Sequence, residues 1–228
     1  MTLSTAAAPG NPLGGGSLPT QIHELLEEAI IAGDLAPGSR LRADEIAAHY
    51  GVSRIPVREA FSALAEAGWV DSRPRYGVYV RGRSRDELAE LFEARAGLEQ
   101  EIARLAASRR SDADLARMDG VVERSRRAVE ARNTSGLTDA AIEFNAALRD
   151  AGKNAVLTGL SLNLEKRARF YFSPVADLLG EEWITGQERL LGLLRAGDEN
   201  GSAASARRHI EETGRAVAGL LDSAAFTS

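Results

Sequence analysis

Apolar positions near the start of the chain follow helical spacing in three short segments. In the first segment, apolar side chains recur every three or four residues until Gly33, a typical C-terminal cap, and they include Ile22, Leu25, Leu26, Ala29 and Ile30. A second helix is predicted over 43–50. A third begins after Ser53, a residue type that favours helix N-caps.

Two short runs after the third helix are rich in β-branched and aromatic residues, which is typical of strands. They cover 69–72 and 77–80, and the residues between them include two arginines. Three helices followed by a hairpin with a basic tip predict a winged helix-turn-helix over 18–82.

From Asp86 onward the pattern is that of successive amphipathic helices without strand-like alternation. The first apolar stripe runs through Leu88, Leu91, Phe92, Leu98, Ile102 and Leu105. Further helical segments centre on 137–148, 156–172, 182–195 and 203–221, with breaks at Gly136, Gly152, Pro174, Gly180 and Gly197. The pattern predicts an antiparallel all-α bundle over 86–224. With 83–85 as a linker and 1–17 as a disordered tail, the fold class is mainly α.

The composition excludes several classes of function and structure. The chain has 228 residues, no cysteine and three histidines, which excludes disulfides, thiolate metal sites and cysteine nucleophiles. No apolar run approaches the roughly 20 residues that span a bilayer, so we expect a cytoplasmic protein without a membrane partner. The net charge is −5, but residues 50–85 carry seven arginines against three acids. A basic segment in an acidic chain is typical of a surface that meets phosphate, and the alternative from charge alone is an ordinary solvated face.

The third helix carries the chemistry for reading DNA. Arg54 and Arg58 are four residues apart, so both guanidinium groups lie on one helical face. Arginine pairs bidentately with guanine, and Ser53 at the helix start is placed to contact a phosphate. In the alternative interpretation, the two arginines pair with Glu59 or Glu66 on an ordinary surface helix.

Residues 51–60, Gly-Val-Ser-Arg-Ile-Pro-Val-Arg-Glu-Ala, resemble the DNA-binding domain of GntR-type bacterial transcription regulators, and the similarity runs over about 18–82. The resemblance implies base or phosphate contacts for Ser53, Arg54 and Arg58. It implies wing contacts for Arg73, Arg75, Tyr76 and Gly77. Where several relatives carry arginine, this chain has Asp44, so a phosphate or base contact is not expected there; Arg42 is a partial substitute.

Residues 86–222 resemble the helical FCD effector domain of the FadR branch of this family. The residues that carry the resemblance are Leu-Phe-Glu-Ala-Arg at 91–95 followed by Leu98-Glu99, Glu-Phe-Asn at 143–145 with Leu148, and Leu-Arg-Ala-Gly-Asp at 194–198 followed by His209. Many members hold a metal there through an aspartate and three histidines. The matching positions in this chain are Ala141, Asn145, Gln187 and His209, a donor set of one imidazole and two amides. Amide oxygens are weak, uncharged ligands, so we expect no metal and no other cofactor.

The same positions suggest a different kind of site. Arg95 adds a cation on an apolar helix face to the hydrogen-bonding groups of Asn145, Gln187 and His209, and together they predict a pocket for a small carboxylate effector. Alternatively, Arg95 is a structural partner of Glu99 or another acid, and His209 is a satisfied core histidine.

The resemblance implies a ligand-responsive regulator, usually a repressor, that binds a pseudo-palindromic DNA operator as a homodimer. Two alternatives stay open. One is a DNA-binding regulator or architectural protein whose degenerate pocket senses nothing. The other is an enzyme with an accessory DNA-binding domain, against which the chain shows no phosphate-binding loop or nucleophile motif. We expect that the protein is not an enzyme.

Overall fold

The computed structural model describes residues 16–172, 175 and 180–221. Its elements, in chain order, are α1 (Leu18–Ala32), β1 (Arg40–Leu41), α2 (Ala43–Tyr50), α3 (Arg54–Glu66), β2 (Val70–Arg73), β3 (Gly77–Val80), α4 (Arg85–Arg109), α5 (Asp112–Glu130), α6 (Thr134–Gly152), α7 (Ala155–Phe172), α8 (Gly180–Ala196) and α9 (Glu199–Leu220). The predicted mainly α class is confirmed. Residues 1–15 of the predicted tail and residues 222–224 of the predicted bundle lie outside the described residues.

The chain divides into two compact units, one that runs to Ser84 and one that starts at Arg85. Helix α4 begins at Arg85, so the last residue of the predicted linker over 83–85 is helical.

In the first unit, three helices pack around an apolar core and a small sheet. The buried side chains come from α1, α2 and α3, and they include Ile22, Leu26, Ile30, Ile46, Val57 and Leu64. The sheet is antiparallel in the order β1-β3-β2, with Arg40 opposite Tyr79 and Val70 opposite Val80. The sequence pattern did not predict β1, because two residues are too short for any alternation to register.

A buried hydrogen bond connects the first helix of this unit to the start of the hairpin. Trp69 Nε1 donates to Glu27 Oε1 at 2.9 Å, and both residues are buried. This hydrogen bond satisfies the indole N–H, because a buried donor without an acceptor is costly.

The second unit is the predicted helical bundle. Helix α4 packs against α6, α7, α8 and α9, while α5 packs against α6 and α8. The core is apolar, and its fully or nearly fully buried side chains include Ile102, Met118, Phe144, Leu148, Leu191 and Leu194. The connections over 131–133 and 197–198 are short, so α6 and α9 run antiparallel to the helices before them.

Two helices of the bundle begin earlier than the apolar pattern predicted. Asn133 caps α6 by accepting a hydrogen bond from Gly136 N, so Gly136 lies in the first turn and is not a break. Asp198 caps α9 in the same way through Gly201 N. Both first turns are polar and carry little hydrophobic signal, so only the capping residues mark these starts.

No helix in the described ranges is both long and apolar enough to cross a membrane.

Candidate functional site

Helix α3 presents its predicted DNA-contact residues to solvent. Ser53, Arg54 and Arg58 are all exposed, and Ser53 occupies the N-cap position with extended backbone angles. Its side chain makes no capping hydrogen bond, contrary to the bond that its residue type predicts. The amides at the start of α3 therefore keep donors available for an incoming anion.

The two arginines of α3 have different surroundings. Arg54 Nη1 donates to Asp44 Oδ1 at 3.0 Å, across to the start of α2. Arg58 makes no salt bridge or side-chain hydrogen bond within the described part of the chain. Pairing with Glu59 or Glu66, the alternative raised by the sequence, is not seen for either arginine.

The turn between β2 and β3 carries the predicted wing residues. Tyr76 N donates to Arg73 O at 3.0 Å and closes the turn, while Arg73 lies over the Tyr79 ring at 4.8 Å. Arg75 has a φ of +67°, an uncommon conformation for a side chain other than glycine, and the Tyr76 side chain beside it is 70% exposed. The tip of the wing thus presents one cation and one aromatic ring.

A depression of about 610 Å³ lies between α2, α3 and the sheet of this unit. Arg54 and Arg58 line it together with Arg40, Arg42 and Gly77. Gly77 has a φ of +111°, a conformation that favours glycine, and a Cβ at this position would lie 3.0 Å from Arg40 Nε, so the arginine would have to shift.

Two further candidates on this surface were not predicted. Arg40 reaches the depression only because β1 pairs with β3, a contact that no local pattern signals. Ile55 is 69% exposed next to Arg54, although it is a large apolar residue. Apolar side chains at such positions contact the thymine methyl group in the major groove. In the sequence, Ile55 could have been recognised as an apolar residue on the polar side of an amphipathic helix.

Three of the four predicted effector residues surround one small cavity in the bundle. Asn145, Gln187 and His209 line it with Glu99 and an apolar remainder from α6, α8 and α9. The cavity has a volume of about 20 Å³, room for about one water molecule. Gln187 is buried, and Ser125 Oγ donates to its Oε1 at 3.4 Å.

His209 is neutral at pH 7. Burial, together with the positive charge of Arg95, lowers the pKa of His209 to about 4. Its ring packs against Gly186, where a Cβ would lie 2.3 Å from Nδ1. The neutral imidazole therefore carries one donor nitrogen, one acceptor nitrogen and no charge.

Arg95, the fourth predicted residue, is buried beside this cavity without lining it. Its guanidinium lies 5.3 Å from the Phe92 ring centre, and its Nε has no hydrogen-bond partner. Burial lowers the pKa of Arg95, while the charge of Glu99 acts in the opposite direction. No direct ion pair joins Arg95 to Glu99, so the structural pair that the sequence left open is not formed as a contact.

The remaining charges near Arg95 are connected to one another. Arg149 Nη1 donates to Glu165 Oε2 at 2.5 Å, and Ser161 Oγ donates to Glu99 Oε1 at 2.6 Å; all four residues are buried. Arg95, Arg149, Glu99 and Glu165 form what we call the buried charge cluster. The formal charges of its two arginines and two glutamates cancel. Cancellation matters because an isolated buried charge is costly.

The positions that hold a metal in many FCD domains do not fit one in this chain. Ala141 is buried and has no donor atom, and Asn145, Gln187 and His209 supply two amides and one neutral imidazole. Within the described ranges, no three histidine, aspartate or glutamate side chains are grouped so that they could hold a metal ion. The donor set is therefore one for hydrogen bonding, not for metal coordination.

A winged helix-turn-helix with two arginines on its exposed third helix, followed by a helical bundle, defines a DNA-binding transcription regulator. The family models match accordingly: "Bacterial regulatory proteins, gntR family" over residues 18–80 and "FCD domain" over residues 90–212. The chain belongs to the GntR family of transcription regulators and carries an FCD domain, which confirms the resemblance.

Relatives and solved structures agree with this assignment. The chain is similar to the transcriptional repressor RspR of Escherichia coli, with 33% identity over 57% of this chain and 55% of RspR, so the match spans about half of that protein. It is similar to the regulator LutR of Bacillus subtilis, with 29% identity over 83% of this chain and 96% of LutR. The fold matches Escherichia coli McbR/YncC, with a TM-score of 0.76, 23% identity and coverage of 89% and 98%.

Proposed function

We propose that this regulator is a repressor that binds a pseudo-palindromic operator as a homodimer, and that a small organic acid bound in the helical bundle changes its operator affinity. Regulators of this family typically bind operators as dimers. The similarity to RspR, a repressor by name, supports the direction of regulation.

The observation that carries the DNA-binding part is the exposed face of α3. Arg54 and Arg58 are one turn apart, and both line the depression beside the hairpin. In this arrangement α3 enters the major groove and the two guanidinium groups read base edges, while Arg75 at the wing tip contacts the flanking backbone. Two copies related by a two-fold axis would read two half-sites.

The effector part is supported by Arg95 and the polar cavity wall. A buried guanidinium with an unpartnered Nε gains a charge-assisted hydrogen bond when a carboxylate reaches it. Asn145, Gln187 and His209 supply hydrogen bonds for the rest of the ligand. The wall also contains the carboxylate of Glu99, which repels an anion, and a ligand larger than water requires side chains to move outward.

The volume of the cavity favours a second candidate, a regulator whose bundle senses no ligand. A space of about 20 Å³ is far below the roughly 300 Å³ or more of ordinary ligand pockets. In that case the polar wall is satisfied by one enclosed water, and the bundle serves structure alone.

The DNA-binding part is tested by replacing Arg58 in the full chain. Arg58→Ala should weaken binding to the selected operator by about 1–3 kcal/mol, because a bidentate guanine contact is lost. Arg58→Lys keeps the charge but not the planar fork, so it should keep affinity for unrelated duplexes and still lose operator preference. Operator binding that is unchanged in both variants would remove the assignment of α3 as the recognition helix.

A thermal melt with small mono- and dicarboxylates, such as acetate, propionate and succinate, separates the two candidates. A ligand at about 100 times its dissociation constant stabilises the native state by about 2.7 kcal/mol, which raises the melting temperature by several degrees. The shift should be lost in Asn145→Ala and kept in Asn163→Ala, an exposed control on α7. No shift with any acid supports the regulator that senses no ligand.

A further inference from the structure

An acidic side chain lies within the arginine-lined depression of the first unit. Asp44, on the first turn of α2, accepts a hydrogen bond from Arg54 Nη1 at 3.0 Å, although both side chains are mostly exposed, at 75% and 68%. An ion pair that exposed contributes little to the stability of a fold. A carboxylate on this surface also repels DNA phosphates. Neither stability nor general DNA affinity therefore accounts for the pair.

The geometry of the pair leaves Arg54 able to bind a base. A guanidinium has five N–H donors in a planar fork, and Asp44 accepts from only one nitrogen, Nη1. The remaining donors suffice for the two acceptors of guanine in the major groove. Because the carboxylate already holds the long side chain, less conformational freedom is lost when Arg54 meets DNA. Arg58, one turn further along α3, has no such partner among the described residues.

We propose that Asp44 is a specificity-determining residue: it orients Arg54 toward a guanine and at the same time weakens binding to DNA of any sequence. This inference rests on the proposed function, which makes Arg54 a base-reading residue. It assigns a role to a position where the resemblance to other family members predicted only a lost contact.

The chain offers a matched control for the charge of Asp44. Glu45 is the next residue, lines the same depression, and pairs with Arg42 at 2.9 Å instead of with Arg54. Asp44→Asn and Glu45→Gln therefore remove one negative charge each from the same surface, with little change in shape. Only the first removes the ionic partner of Arg54.

The experiment uses the full chain and a duplex selected by the wild type from a random pool, with a scrambled duplex for comparison. Both variants should bind the scrambled duplex more tightly than the wild type, because each loses a repelling charge. Asp44→Asn alone should lower the ratio of selected to scrambled affinity, by roughly three- to tenfold, the effect of freeing one long side chain. A second selection with this variant should lose the guanine preference at one position of each half-site.

Two outcomes would overturn the role of Asp44. One is an equal change of the affinity ratio in Asp44→Asn and Glu45→Gln. The other is a gain in affinity for the selected duplex that exceeds the gain for the scrambled one, since the carboxylate would then compete with the base for Arg54. Both variants should melt within a few degrees of the wild type, because an exposed ion pair and a first-turn charge each contribute about 1 kcal/mol or less.

Arg54→Ala distinguishes a failure of this inference from a failure of the proposed function. If Arg54→Ala lowers the affinity ratio while Asp44→Asn does not, Arg54 reads a base without help from Asp44. If Arg54→Ala leaves the ratio unchanged, Arg54 is not a base-reading residue and the proposed function is wrong at this position. In the Arg54→Ala background, Asp44→Asn should no longer affect the ratio, because the two residues act as a pair.

Discussion

Gly186 on α8 packs against the His209 ring in the cavity wall, and a methyl group at this position should destabilise the bundle. A Cβ there would lie 2.3 Å from His209 Nδ1, 2.9 Å from Cε1 and 3.1 Å from Cγ. These separations are well inside van der Waals contact, so the imidazole must move. Overpacking of this kind costs about 1–3 kcal/mol.

Gly192 on the same helix supplies the control. No atom lies within 4 Å of a Cβ built at this position, so Gly192→Ala gains only the higher helix propensity of alanine, about 0.5–1 kcal/mol. Gly186→Ala gains the same propensity and loses more to the overlap with His209. The difference in unfolding free energy between the two variants should therefore equal the free-energy cost of the overlap with His209, about 1–3 kcal/mol.

Urea denaturation of both variants measures this difference through the transition midpoint, provided that the slopes stay equal. The full chain can be used, because each variant changes only the second unit and is compared with the other. Equal stability of the two variants, or a more stable Gly186→Ala, would show that the ring of His209 is free to move aside. The close packing of His209 against α8 would then be wrong.

Three further outcomes follow from the same structure. The pKa of His209 is lowered from 6.5 to about 4 by burial and the charge of Arg95, so its contribution to stability is present above pH 6.5 and lost toward pH 4. Urea unfolding at about pH 7.5 and 4 should show a loss about 3 kcal/mol larger for wild type than for His209→Gln, and parallel losses would contradict the neutral buried ring. Gly214→Ala should be less stable than Gly219→Ala in the same urea assay. A Cβ at 214 would lie 2.8 Å from the Phe92 ring, whereas a Cβ at 219 would have no atom within 4 Å. Equal stabilities of the two variants would refute the close packing of α4 on α9. Arg75→Ala should weaken binding to all duplexes alike and reduce the salt slope by about one, whereas a change at one sequence only would mean that the wing reads bases.

The DNA-binding unit was largely predictable because its signals are local. The N-cap position of Ser53, the start of α3 and the positions of both hairpin strands all follow from residue types within a few positions. The contact between Asp44 and Arg54 was not predictable, since it joins residues ten positions apart across a turn whose geometry the pattern does not give. The resemblance showed only that Asp44 stands where several relatives carry arginine.

In the bundle, the pattern of apolar residues predicted the helices but not the space between them. Asn145, Gln187 and His209 were expected near each other and do line one cavity, yet its volume of about 20 Å³ depends on the packing of four helices, α4, α6, α8 and α9. Glu99 was considered only as a partner for Arg95, whereas its carboxylate accepts from Ser161 and faces the cavity. A buried carboxylate can accept hydrogen bonds from donors on several helices. A single sequence does not show which of these donors lies nearest.

The buried charge cluster of Arg95, Glu99, Arg149 and Glu165 restricts how this bundle can diverge. Replacing any single member by an apolar residue leaves one uncompensated ion in the interior. The first of four successive replacements is therefore destabilising, even where the final, fully apolar arrangement is as stable as the original. Sequence drift at these four positions is therefore expected to be concerted. A redesign that aims to enlarge the interior should replace Arg149 and Glu165 in one step and leave the other two members in place.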